Sequence, residues 1–330
     1  MEDDGSPAFL GVIIFVVGLS CFSWRYVEVP FRNGRLFAGR RIFRFGILGI
    51  GFFAIVGYLG YRSNGFEEFY LQNRVGAENA RLIAYLNYNE TDEFRRSYRA
   101  GSCFYGSEFG SFEQYDRKAC LRLSEDKPNY LLVGDSHAAH WIDALIESYP
   151  NVGILQATAS GCRPVIPYRG QKRCTDLIRS VYESFLPNTS LDGVIISARW
   201  QMEDVEAVFN TARYLLTFVP RVIVLGPTVE YRHPLPLFLH RHNEVNAKAS
   251  SKILASVVDG RSAVSNAMMM RLRNSRVEYL SVYREVCSDE ACRVTTDEGI
   301  PIVWDYGHFT KDGAHFLVKG FLSAGLLHLN

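Results

Sequence analysis

Residues 129–330 are predicted to form an α/β domain with a parallel sheet of about five strands, because short β-rich runs alternate there with stretches of helical pattern. Such alternation implies a sheet covered by helices on both faces. A second observation agrees: Gly134-Asp135-Ser136-His137 directly follows the first run, at the strand end where open α/β sheets carry their chemistry.

With 330 residues the chain has room for one large domain or two ordinary ones. Its formal net charge of +1 gives no bulk attraction to nucleic acid, and 48% apolar residues suffice for a substantial core. The apolar residues are concentrated in the first 61 positions. Two uncharged stretches lie there, Ala8 to Ser23 and Phe45 to Tyr61, each slightly shorter than the ~20 residues that usually span a bilayer. Trp24, Tyr26, Tyr58 and Tyr61 flank them as interfacial aromatics would. Arg25, Arg32, Arg35, Arg40, Arg41 and Arg44 lie between them against the single acid Glu28, while Glu2, Asp3 and Asp4 precede them. The positive-inside rule predicts a membrane hairpin of two helices, about 8–24 and 45–61, with a basic cytoplasmic loop and both ends outside. A signal peptide would need a basic rather than an acidic start.

Residues 62–128 are polar and read as an extracytoplasmic linker or lead-in, with one helix over about Arg74 to Tyr88, that packs on the following domain. Cys21 lies in the first apolar stretch. The other six cysteines fall beyond the hairpin as sequential neighbours, predicting disulfides Cys103–Cys120, Cys162–Cys174 and Cys287–Cys292 in an oxidising compartment. Each pair brackets a polar, loop-like segment, and closing a loop of ~15 residues contributes about 3 kcal/mol in the chain-entropy model. No CxxC spacing points to zinc instead.

The strands are expected at Tyr130–Val133, Val152–Leu155, Gly193–Ser197, Arg221–Leu225 and Val277–Val282. Helices are expected at His137–Tyr149, Thr175–Phe185, Glu203–Phe218, about His240–Asn274, and Lys311–Leu327. Gly313, near the start of the last helix, either lets His308 approach the sheet or serves a turn.

Ser136 gains meaning from a second motif near the C-terminus, Asp305-Tyr306-Gly307-His308. A serine hydroxyl is a poor nucleophile at neutral pH and needs a base within hydrogen-bond reach. His308 can be that base, and Asp305, three residues back, can hold its other nitrogen. Asp135 reads as a helix cap. His137 packs, caps its helix or meets substrate, whereas His140 one turn on is expected to face solvent. A His137/His140 metal site lacks a third ligand at useful spacing, so no metal or cofactor is expected. Trp200 either stacks on a sugar face or belongs to the core.

The segments Leu131–Trp141 (LLVGDSHAAHW), Ala159–Pro164 (ASGCRP), Val194–Trp200 (VIISARW) and Asp305–Ala314 (DYGHFTKDGA) resemble the SGNH hydrolase superfamily. The resemblance is to the SGNH domains fused behind acyltransferase-3 membrane domains in bacterial O-acyltransferases. Ser23–Arg32 (SWRYVEVPFR) is similar to the end of an acyltransferase-3 core, which makes residues 1–61 a remnant of that domain. The resemblance implies a three-layer, flavodoxin-like SGNH fold over 129–330. It casts Ser136 as nucleophile, His308 as base and Asp305 as its orienting acid. The oxyanion hole would use the Ser136 and Gly161 N–H groups. The family's Gly-x-Asn-Asp block is absent, since the chain reads Ser197-Ala198-Arg199-Trp200. Arg199 therefore stands either as a replacement oxyanion donor or as a structural ion-pair residue.

The implied function is a membrane-anchored, periplasmic O-acyltransferase that moves an acyl group, expected to be acetyl, onto a cell-envelope glycan through a Ser136 ester. The expected partners are a glycan acceptor, the inner membrane, and an acyltransferase-3 membrane domain that delivers the donor, with no nucleic acid. The chain carries only the end of such a membrane domain, which is expected of a fragment of a longer fusion or of a protein working with a separate acyltransferase. Two alternatives remain open at this stage: a carbohydrate esterase using the same residues, and a non-catalytic glycan-binding module.

Overall fold

The computed structural model describes residues 7–29, 39–63, 77–106, 112–244 and 247–329. The chain divides into two units, Met1–Val75 and Gly76–Asn330.

The first unit holds helix Pro7–Ser23, a π-helical turn Trp24–Glu28 and helix Gly39–Arg62. Large apolar side chains along both helices, among them Ile14, Phe15, Leu48 and Phe53, are exposed. The two predicted helices are therefore present. Among the described residues, however, no helix is long and apolar enough to cross a membrane. The first helix has 17 residues, short of the ~20 that a bilayer core requires. Residues 30–38, the middle of the expected basic loop, lie outside the described residues, and its last part, Arg40, Arg41 and Arg44, belongs to the second helix.

The second unit is built on a six-stranded, all-parallel sheet. Its strands are β1 (Phe104–Tyr105), β2 (Asn129–Gly134), β3 (Gly153–Ala159), β4 (Gly193–Ser197), β5 (Arg221–Leu225) and β7 (Glu278–Leu280), in the order β1-β3-β2-β4-β5-β7. A small antiparallel pair, β6 (Ala249–Ser250) and β8 (Cys292–Arg293), stands apart. Side chains alternate between the two faces of the sheet, as the strand period requires. Leu132, Ile195 and Ile223 enter one core together with Trp141 and Phe321. Leu131, Val133, Val194, Ile196 and Val222 enter the other with Ile178 and Leu215. Both faces are thus covered, which explains why these strands are continuous apolar runs.

The chain leaves β2 toward β3 and returns across it to β4. The carboxyl end of β2 is therefore the point where the winding reverses, and a crevice opens there. Gly134, the last residue of β2, has no room for a side chain, because a Cβ would run into the Ser197 carbonyl of β4. Gly313 plays the matching part on the other motif. Helix Lys311–Ser323 is capped by the Thr310 hydroxyl, which accepts from the Gly313 N–H at 3.0 Å. A Cβ on Gly313 would meet the Ile302 carbonyl, so its absence lets this helix close on the strand-like segment leading to Asp305 and His308.

Three elements differ from expectation. The lead-in does more than pack on the domain, because its β1 extends the sheet beyond β3, adding a sixth strand. Its helix, described over Ala77–Ala84, becomes a 3₁₀ segment over Tyr85–Glu90; the expected first residues 74–76 lie outside the described residues. The single long helix expected near 240–274 is instead helix Leu235–Arg241, strand β6 and helix Arg261–Leu272. Gly260, at φ +82°, sets the left-handed turn that starts the last of these. The disulfides are Cys103–Cys120, Cys162–Cys174 and Cys287–Cys292, the sequential pairing expected.

Candidate active site

Ser136 is the first residue of the short helix Ser136–Ala139, which begins directly after β2. At that position its backbone N–H is one of the helix-start donors with no intrahelical acceptor. Asp135 caps the helix, its carboxylate accepting from the His137 N–H at 2.7 Å. The same carboxylate accepts from the Arg199 N–H at 2.9 Å and so ties the end of β2 to the end of β4. Burial pushes this acid up to about 6, against the pull of those two donors. Its work is structural, as the cap reading expected.

The two distant motifs meet. His308 Nε2 lies 2.8 Å from Ser136 Oγ, and His308 Nδ1 lies 2.7 Å from Asp305 Oδ2. The other oxygen of Asp305 accepts from the Gly307 and His308 N–H groups at 2.9 and 2.8 Å. A carboxylate held by three donors has its orientation fixed before any reaction begins. It also fixes the imidazole with Nδ1–H toward the acid and the Nε2 lone pair toward the serine. The three side chains are largely but not wholly buried, leaving the hydroxyl open to a crevice.

Gly161 lies in the turn after β3, at φ +71°, with open space where a side chain would be. Two constraints hold that turn. Cys162 is bonded to Cys174, and Arg173 Nη2 donates to the Ser160 carbonyl at 2.7 Å.

Other residues singled out in the sequence take different places. Trp200 is fully buried and its indole N–H donates to the Leu225 carbonyl at 2.8 Å, so it is core and meets no ligand. His137 is buried as well: Nδ1 lies 3.0 Å from Thr228 Oγ1, and its ring sits 4.6 Å from that of His308. It backs the base rather than facing substrate. Its charged form is strongly disfavoured, by burial first and then by the neighbouring His308. His140, expected in solvent, is 2% exposed. Its Nδ1 accepts from the Phe309 N–H at 3.3 Å, and its ring packs on Phe309 at 4.3 Å. The helix ends at Ala139 and restarts at Ile142, and this break turns His140 inward.

The guanidinium of Arg199 is held by Glu230, with Nη2 2.7 Å from Oε2 and Nε 3.1 Å from each oxygen, and it lies 4.8 Å above the Tyr306 ring. This is the ion-pair alternative. Glu230 is 1% exposed and also faces the buried Arg261, whose Nη2 is 3.1 Å from Oε1 without being aligned to donate. Arg261 in turn donates to the Trp200 carbonyl at 2.6 Å. Glu230 thus compensates two cations behind the loop that carries Tyr306 and His308. Glu230→Ala would strand the buried Arg261 charge, with an expected loss of about 3–5 kcal/mol. The midpoint of urea unfolding measures that loss.

Two groups important to the site escaped the sequence reading. Trp304 stacks on His308, with centroids 5.6 Å apart and planes 19° from parallel. Tyr98 is buried, accepts from the Trp304 indole at 3.3 Å and donates to the Phe309 carbonyl at 2.8 Å. A cavity of about 380 Å³ opens onto Ser136 and His308, walled by Phe94, Tyr98, Phe104 and Trp304, with Asn89 and Ser160 adding polar groups. The only available signals were the aromatic density of residues 85–105 and the adjacency of Trp304 to Asp305.

Elsewhere, Asp143, Glu147 and His315 bring one ligand atom each within 4.8 Å of one another. Lys311 already supplies a cation there, 3.4 Å from Asp143 and 3.2 Å from Glu147.

A doubly wound α/β sheet thus carries a serine at its switch point, hydrogen-bonded to a histidine and through it to an aspartate, an arrangement suited to serine-based acyl chemistry. Residues 102–323 match the family described as SGNH domain (fused to AT3 domains), and the chain belongs to that family. Among solved structures it is similar to the periplasmic domain of a lipopolysaccharide acetyltransferase from Salmonella ser. Paratyphi A. That likeness has 19% identity and a TM-score of 0.59, covering 76% of this chain and 100% of that one. An acetyl-xylooligosaccharide esterase from Geobacillus is more distant, at 14% identity and a TM-score of 0.36, covering 61% of this chain and 95% of that one. No curated protein matches.

Proposed function

We propose that this chain is an O-acyltransferase that forms an acyl ester on Ser136 and passes the acyl group, acetyl, to a hydroxyl of a cell-envelope glycan. The observation that carries the reading is the unbroken hydrogen-bond chain from Ser136 Oγ through His308 to Asp305. His308 Nε2 takes the hydroxyl proton as Oγ attacks the donor's carbonyl carbon. The oxyanion that forms is met by the Ser136 and Gly161 N–H groups, with the Arg199 guanidinium retained by Glu230. Collapse expels the donor's leaving group, which takes the proton from His308. The acceptor hydroxyl then gives its proton to His308 and attacks the ester carbonyl, and Ser136 Oγ leaves with that proton. The acid–base steps are worth ~10²–10⁴-fold.

Transfer rather than hydrolysis is supported by membership in a family whose SGNH domains are fused to AT3 domains, which would supply the donor. The three disulfides suit an oxidising, periplasmic setting. The exposed apolar side chains of helices Pro7–Ser23 and Gly39–Arg62, with six arginines between Trp24 and Phe45, support attachment of residues 1–61 to the inner membrane. An esterase would share every step to the acyl-enzyme and differ only in letting water reach it. Full-length protein incubated with p-nitrophenyl acetate and envelope polysaccharide is expected to yield acetylated glycan. Free acetate alone would identify the esterase instead, and no ester turnover at all would remove both.

A further inference from the structure

We infer that the cavity beside Ser136 is an acceptor subsite for a pyranose ring, and that its platform is built by residues 89–98, ahead of the family-matched region. This rests on the acyl-transfer reading above and names the acceptor class for it. The family match begins at residue 102, yet Asn89, Phe94 and Tyr98 line the cavity together with Trp304, Ser136 and His308. At 380 Å³ it falls within the ~300–1,000 Å³ usual for small-molecule sites and exceeds the needs of an acetyl group.

The wall chemistry selects among occupants. Phe94 and Trp304 are half-buried and meet edge to face, with centroids 6.1 Å apart and planes at 80°. Together they present an aromatic corner beside the nucleophile. Aromatic faces suit the axial C–H face of a sugar ring, whose hydroxyls project sideways toward polar groups. Asn89, exposed at the same cavity, offers an amide with both donor and acceptor capacity. A long acyl chain would instead call for a wall without such groups.

The corner is also anchored. Phe94 lies 4.3 Å from Tyr98, which accepts the Trp304 indole N–H and donates to the Phe309 carbonyl next to His308. The position of the platform is thereby tied to that of the base. A ring held on this corner would bring a hydroxyl to His308 and the Ser136 ester while covering them from water.

The test measures acetyl capture from p-nitrophenyl acetate by two alcohols, methyl β-D-galactopyranoside and the acyclic polyol sorbitol, in the full-length protein. The ratio of the two capture rates cancels any change in acylation. The wild type is expected to prefer the pyranoside, and Phe94→Ala to lower that preference about tenfold, the equivalent of one modest contact. Phe94→Leu retains apolar volume without an aromatic face and is expected to lose most of the preference too, which separates stacking from mere filling. Equal capture of both alcohols by the wild type, or an unchanged ratio in both variants, would overturn the inference. If the acyl-transfer reading itself fails, the result differs: p-nitrophenyl acetate is not turned over, or neither alcohol is acetylated at any concentration.

Discussion

Ser136→Ala is expected to lower acyl turnover by at least ~10⁴-fold, because the ester that links donor to acceptor can no longer form. The hydroxyl accounts for one hydrogen bond in the site, to His308 Nε2 at 2.8 Å. Its loss leaves Asp135 capping the helix and the sheet intact, so the urea-unfolding midpoint should barely move. Residual activity would come only from binding and from the backbone N–H groups proposed above for the oxyanion, which the substitution leaves unchanged. The burst of p-nitrophenolate on mixing with p-nitrophenyl acetate is the measurement. An undiminished burst would place the acyl group elsewhere and remove the mechanism.

Asp305→Asn is expected to cost nearly as much, ~10³–10⁴-fold in kcat. The side chains are nearly isosteric, but Asp305 now accepts three hydrogen bonds, from two backbone N–H groups through Oδ1 and from His308 Nδ1–H through Oδ2. An asparagine can satisfy the two backbone donors with its carbonyl oxygen and must then turn its NH₂ toward His308. That favours the tautomer with the proton on Nε2, facing Ser136, where it cannot act as base. The loss should appear in kcat with little change in KM, since Asp305 touches the base and not the substrate. A loss confined to KM would show the aspartate serving binding instead.

Much of this site was legible because its chemistry sits in two short, contiguous motifs at element ends. The run Asn129–Gly134 is a strand because neighbours on both sides and helices on both faces bury it, and the tetrapeptide starting on its last residue makes the strand-to-helix turn. β4 and β5 were legible for the same reason. The capping of Asp135 also followed from its position. Less legible was everything decided by packing between distant segments. Whether Arg199 serves an oxyanion or an ion pair depends on Glu230, a residue that no local pattern connects with it. Nothing local separates Trp200 from Trp304, yet one is sealed beneath β5 and the other lies in the cavity wall. His140 turned inward because its helix breaks for two residues, His140 and Trp141, below the resolution of periodicity. The helix expected near 240–274 failed because it runs through Gly260, whose left-handed backbone interrupts it and starts a separate helix at Arg261.

The hydrogen bonds of Tyr98 bear on where the working unit begins. A shortened protein starting where family similarity starts would retain Ser136, Asp305 and His308. It would nonetheless lose the hydrogen-bond partner of the Phe309 carbonyl and the Trp304 indole, and one flank of the reaction chamber would be open to bulk solvent. The cavity beside Ser136 therefore draws on residues ahead of 102–323, and a truncation meant to simplify the protein should keep the chain from Ala77 onward.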